Sequence, residues 1–236
     1  MYFYILCFQT ACIIVSGICL YLAVTDEKLR TRKYGMPLTA ALAGICAAEI
    51  GYGLYLQEIT MGGLQAAEKF CLLGKLAAVV GFFMTCVSLS DRDSRTVKAA
   101  AGILGLTVMS FLFFDSLHRY LYEEQTFLQN QFFYYIEAKR TILGEVLYTC
   151  VRCIPLMGVL WLVWRKRKKG LPEKVLASAA LLIWAASGIC GRMTFLRHYD
   201  ADMPLFAAFA ACLVVFAVWK ECCKEDHDGT ADDEAR

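Results

Sequence analysis

Five ionisable side chains stand inside stretches that are otherwise apolar: Glu49, Lys75, Glu145, Arg152 and Arg192. A charge in the middle of a membrane helix costs about 2.5–3.5 kcal/mol on insertion scales, so such residues usually face a bundle interior and pair with one another. Two acids and three bases, most of them on one side of the midplane, could form a polar pocket that holds a ligand. The same set could instead act as a salt-bridge network that fixes the helices. Lys75, Glu145 and Arg192 could also reach the interface along their own stems. Arg152 is too central for that. It lies seven residues after Glu145, on nearly the same helical face, and just before Pro155. Proline at 155 frees the carbonyl of Val151 and predicts a kink, which makes Arg152 the best single candidate. His118, in Asp115-Ser116-Leu117-His118-Arg119, titrates near neutrality and could sense pH, contact a ligand, or simply cap a helix end.

Other chemistries find little support. HExxH, GxSxG and a glycine-rich phosphate loop with lysine are all missing from the sequence, so no enzyme activity, metal or cofactor is expected. No lysine lies midway along the last apolar stretch, where a retinal-type Schiff base would need one; Lys220 is at its end. Of the 12 cysteines, most lie in apolar stretches and read as small packing residues. Cys150 and Cys153 have CxxC spacing without a second pair to complete a zinc site. Cys222 and Cys223 would suit acylation if they flank a membrane.

The elements that must position these residues are membrane helices. The chain is 58% hydrophobic, against about 45–50% in soluble domains, and its mean hydropathy is +0.50. A helix needs roughly 20 apolar residues to cross the bilayer. Seven candidates follow: Tyr2 to Val24, Met36 to Leu56, Phe70 to Leu89, Val97 to Phe114, Ile142 to Trp164, Val175 to Phe195 and Met203 to Trp219. Pro37 suits a first helical turn, and Gly62-Gly63 marks a short loop. In the second candidate Ala40, Gly44 and Ala48 recur every fourth residue, as do Ala43, Ala47 and Gly51. That pattern reads as close packing within a bundle rather than as a dimerisation motif. The fold class is therefore all-α integral membrane, a seven-transmembrane helix bundle.

Orientation comes from the cations. Of 24 Lys and Arg, most fall in loops on one side: 28 to 33, 92 to 98, 165 to 174, and the C-terminal end. The run Arg165-Lys166-Arg167-Lys168-Lys169 follows a span directly, and such loops stay cytoplasmic. The N-terminus is then outside and the C-terminus inside, in a multi-pass plasma-membrane protein. No charged segment precedes Tyr2, so the first span is expected to be retained rather than cleaved. The basic run anchors to anionic lipid rather than to nucleic acid. The one long outer segment, 115–141, is aromatic around an Asn-containing break, which fits a hairpin or a membrane-surface helix. Residues 221–236 form an acidic tail too short and polar to fold alone.

Four places in the chain resemble the N-terminal seven-transmembrane sensor region of bacterial histidine kinases and related signalling proteins. They are Ala66-Ala67-Glu68-Lys69-Phe70-Cys71-Leu72-Leu73-Gly74 running into Phe82-Phe83 and Ser88, then Ser116-Leu117-His118-Arg119-Tyr120-Leu121, then the aromatic segment leading to Gly144 and Tyr148, and Asp202-Met203-Pro204-Leu205. The resemblance covers residues 1 to 220. A proline usual in the third span is replaced by Ala77-Ala78-Val79. The resemblance implies a non-catalytic sensor domain that passes an outer or membrane signal to a cytoplasmic partner. The phosphoacceptor histidine and ATP-binding motifs of the kinase module are absent, so kinase activity does not carry over. The expected partners are the lipid bilayer, a small-molecule or membrane signal, a cytoplasmic signalling protein and, as an open alternative, a second copy in a homodimer. A small-solute transporter or an accessory transport subunit is the second reading, though only one kinked span and no internal repeat are evident. A membrane enzyme using His118 and Glu145 is the third.

Overall fold

The computed structural model describes residues 2–90, 94–113, 121–129, 134–165, 171–190 and 202–233. Helix α1 (Tyr2–Thr25) leads through a single turn, α2 (Glu27–Arg30), to α3 (Gly35–Gln57), α4 (Met61–Leu89) and α5 (Arg95–Phe113). Strands β1 (Tyr122–Gln129) and β2 (Tyr134–Arg140) follow, then α6 (Ile142–Arg165), α7 (Leu171–Cys190) and α8 (Asp202–Asp233). Among the described residues, four helices are long and apolar enough to cross a membrane: Phe3–Thr25, Gly35–Gln57, Met61–Leu89 and Met203–Glu221. Helix α6 contributes a shorter apolar stretch, Cys153–Trp164.

Three expectations need correction. The chain is mostly helical but not all-α, because part of segment 115–141 forms an antiparallel hairpin. Phe127 pairs with Ile136 and Gln129 with Tyr134, and the register slips between Tyr122 and Glu124. Aromatic and β-branched residues on both arms outweigh the missing alternation. Gly62-Gly63 is not a loop. Thr60 caps α4 by accepting from the Gly63 amide at 3.1 Å, so the helix starts nine residues before Phe70. The acidic tail is helical to Asp233. A polar segment pays no fresh nucleation cost when it prolongs an existing helix.

In the bundle, α4 packs against α3, α5 and α6, while α8 packs against α1, α3 and α7. A core on the side away from the hairpin collects residues of all these helices except α5, including Leu42, Phe82, Leu162, Leu176 and Leu213. Phe82 and Phe209 meet edge to face, with centroids 4.9 Å apart.

The tightest feature is the seam between α3 and α4. Ala41, Gly44, Ala48 and Gly51 of α3 meet Gly81, Ala78, Gly74 and Cys71 of α4. A Cβ added at Gly44 or Gly74 would overlap the backbone of Ala78 or Ala48, and one at Gly81 would lie 2.5 Å from the Ala41 nitrogen. Small residues replace the hydrophobic driving force that lipid cannot supply, by letting backbones touch. The seam runs at steps of three and four residues, the period that keeps two gently coiling helices face to face. The four-residue repeats in the sequence capture only Gly44, Ala48 and Gly51, since Ala40 and Ala43 are exposed.

Replacing Gly74 by valine should force the two helices apart and lower stability by about 1–3 kcal/mol, the usual penalty of overpacking. Gly62, whose added Cβ meets nothing within 4 Å, serves as the control. Thermal unfolding in detergent should separate Gly74→Val from Gly62→Ala; equal midpoints would refute the seam.

Candidate functional site

The seam places two of the expected site residues in the bundle interior. Glu49 follows Ala48 on α3 and is fully buried, and Lys75 follows Gly74 on α4 and is 5% exposed. Because Ala48 and Gly74 touch, both charges sit at nearly one level. Starting α4 at Met61 puts Lys75 at the midpoint of its helix rather than in its outer half. Glu49 lies eight residues before the end of α3, about 12 Å along the axis at 1.5 Å per residue.

The sequence reading missed Gln9. Its side-chain amide donates to the Glu49 carboxylate at 2.7 Å and to the Glu49 carbonyl at 3.0 Å. Gln9 is 1% exposed. A lone amide in the apolar run Ile5 to Val15 was the available signal. Burying a carboxylate is tolerable only when its oxygens are bonded, and this donor ties α1 to α3.

Above Glu49 lies an aromatic layer. Tyr52 and Tyr55 stack with centroids 6.0 Å apart, and Tyr52, Leu56, Cys71 and Met203 form a small core on which Tyr135 of β2 rests. The Tyr55 hydroxyl accepts from the Ile136 amide at 2.9 Å. The Tyr122 hydroxyl donates to Glu68 at 2.9 Å, and Gln65 donates to Gln125 at 2.6 Å. The hairpin is thus tied to α3 and α4 by both strands and covers the end of the bundle nearest Glu49.

At the opposite end stands a second polar cluster, also missed in the sequence. Glu221 of α8 accepts from Arg32 Nε at 2.9 Å and again from its Nη2, and from the Tyr34 hydroxyl at 2.7 Å. Next to it, Lys220 pairs with Glu173 in the first turn of α7 and lies 6.0 Å from the Tyr34 ring centroid. Glu173 and Glu221 are 6% and 9% exposed. Burial, then the hydrogen bond and charge of Glu221, hold the Tyr34 phenol well above its ordinary value of 10.0. The cluster joins the α2–α3 connection, α7 and α8. Nothing in sequence spacing pairs residue 32 with residue 221.

Of the remaining expected residues, Glu145 does not join the Glu49 cluster. Glu145 is in the first turn of α6, largely exposed and 3.4 Å from Arg140. An acid there suits the helix N-terminus and needs no interior partner. Arg152 is on α6, three residues before Pro155, and the helix continues through the proline; its side chain, with His118 and Arg192, lies outside the described residues.

No family model and no curated protein sequence matches the chain. Among solved structures the fold is similar to that in a crystal structure of squid rhodopsin. The identity is 10%, the match covers 92% of this chain and 80% of that one, and the TM-score is 0.54. At that identity the likeness concerns architecture alone. Together with the four long apolar helices among the described residues, it shows a helical membrane fold.

Two outcomes are expected. Gln9→Leu removes a buried donor to Glu49 and should cost about 1–3 kcal/mol, while Thr10→Leu, an exposed neighbour, should cost little; thermal unfolding decides between them. The second concerns alkaline pH. A phenol raised in the folded state contributes stability that is complete below about pH 10 and is lost as pH rises towards its folded value. The midpoint of the parent should therefore fall above about pH 10 more steeply than that of Tyr34→Phe, and identical slopes would contradict the buried hydrogen bond.

Proposed function

We propose that the chain is a non-catalytic sensor that reads a signal at the hairpin end and reports it at the opposite end. The observation that carries this reading is the buried Gln9–Glu49 pair, with buried Lys75 one residue past the Ala48–Gly74 contact. Ionisable groups inside a membrane bundle are retained for function far more often than for stability. In the proposed orientation seven helices span the plasma membrane, the N-terminus and hairpin face outward, and the cation-rich loops and α8 extension face the cytoplasm.

A ligand can shift a two-state bundle only by binding one state better than the other. The features that support such coupling are contiguous. The hairpin rests on Tyr52 and Tyr55 of α3, Glu49 lies on the same helix, and that helix begins beside Tyr34 and Arg32 in the ion-pair cluster. A rigid α3–α4 unit that shifts would strain Arg32–Glu221 and release the start of the α8 extension to a cytoplasmic partner. This agrees with the resemblance to the sensor regions of histidine kinases, in which output modules follow the last span.

The test places a fluorescent amino acid at Lys28, an exposed position in α2, in the reconstituted full chain. Glu49→Gln should change its emission in the same direction as Glu221→Gln, with helical content unchanged by circular dichroism. Unaltered emission in Glu49→Gln would refute coupling between the two ends. Labelling of 165–169 from the exterior of intact cells would overturn the orientation.

A further inference from the structure

Where the hairpin meets α6 there is an open groove whose rim carries four charges, Glu123 and Lys139 from the strands, Arg140 at the end of β2, and Glu145 on α6. Lys139 pairs with Glu123 at 2.7 Å and Arg140 with Glu145 at 3.4 Å, so cations and carboxylates alternate and cancel. The Glu123 carboxylate keeps the Lys139 ammonium above its usual range. The groove floor is Ile142, Val146 and Thr149.

That floor does not end at the groove. Ile142, Val146, Thr149 and Cys153 recur at four-, three- and four-residue steps and are all exposed, so they form one face of α6. From Ile142 to Cys153 the face runs about 16 Å at 1.5 Å per residue, half of the roughly 30 Å hydrocarbon thickness. It is therefore one leaflet long. Ile142 is 85% exposed, so the apolar face opens directly from the charged rim.

We infer that this groove binds a phospholipid with a protonated primary amine in its head group, a phosphoethanolamine lipid of the leaflet on the hairpin side. The phosphate lies against Lys139 and Arg140, the ammonium donates to Glu145 and Glu123, and one acyl chain follows Ile142, Val146, Thr149 and Cys153. Charge complementarity selects the class. A head group carrying only negative charge meets two carboxylates, and a quaternary amine has no N–H to donate to them. The inference goes beyond the sensor reading and does not require it.

The test is native mass spectrometry of the full chain released from micelles containing equal amounts of phosphatidylethanolamine, phosphatidylglycerol and phosphatidylcholine with identical acyl chains. The parent should retain phosphatidylethanolamine over both others. Lys139→Gln with Arg140→Gln should lower retention of every phospholipid by about tenfold, the scale of one lost charge-assisted contact. Glu123→Gln with Glu145→Gln should abolish the preference and raise phosphatidylglycerol. All four side chains are on the surface, and circular dichroism verifies that each variant is folded. Retention without head-group preference, phosphatidylglycerol held as well as phosphatidylethanolamine by the parent, unchanged retention in the variants, or a dimer that closes this face of α6 would each overturn the inference.

Discussion

Gly44 against Ala78 and Gly74 against Ala48 bring the backbones of α3 and α4 into direct contact, and the arrangement of the bundle follows from that approach. In lipid there is no gain from removing apolar surface from water, so helices associate through packing and polar contacts. A seam of glycine and alanine supplies the packing. It also fixes the axial register of the two helices, so that Glu49 and Lys75, each one residue beyond the Ala48–Gly74 contact on antiparallel helices, lie within about 3 Å of one level. A slip of one turn, about 5.4 Å, would separate them.

Polar groups then distribute over the two ends of this rigid pair. Beneath the hairpin, Gln9 brings α1 to the buried carboxylate of Glu49, while Tyr52 and Tyr55 form a layer on which Tyr135 rests. At the other end, Arg32 and Tyr34 converge on Glu221, and Lys220 reaches Glu173. A buried carboxylate that accepts several donors is worth little in net stability but is costly to break. The two clusters lie towards opposite ends of α3.

The hairpin shows how local and distant preferences combine. Aromatic residues on both arms favour strands, yet two strands are marginal alone in water. The bonds from Tyr122 to Glu68, from Gln125 to Gln65 and from Ile136 to Tyr55 anchor it to helices already held by the seam. The same anchoring leaves the edge of α6 open and creates the charged groove at its base.

Apolar length made the helical membrane character and most helix bounds legible, because hydrocarbon thickness acts on each segment separately. Glu49 and Lys75 were legible for the same reason, since a charge in an apolar run announces its own cost. Other features were not local properties. The start of α4 depended on a cap at Thr60 competing with two glycines, and the helix at 221–233 depended on the span preceding it. Glu145 looked like an interior charge until the fold put it at a helix start beside Arg140. The partnership of Gln9 with Glu49, and of Arg32 and Tyr34 with Glu221, was decided only by tertiary structure. Sequence sets how costly each residue is inside the membrane; which residue it meets there depends on how the helices pack and in what register.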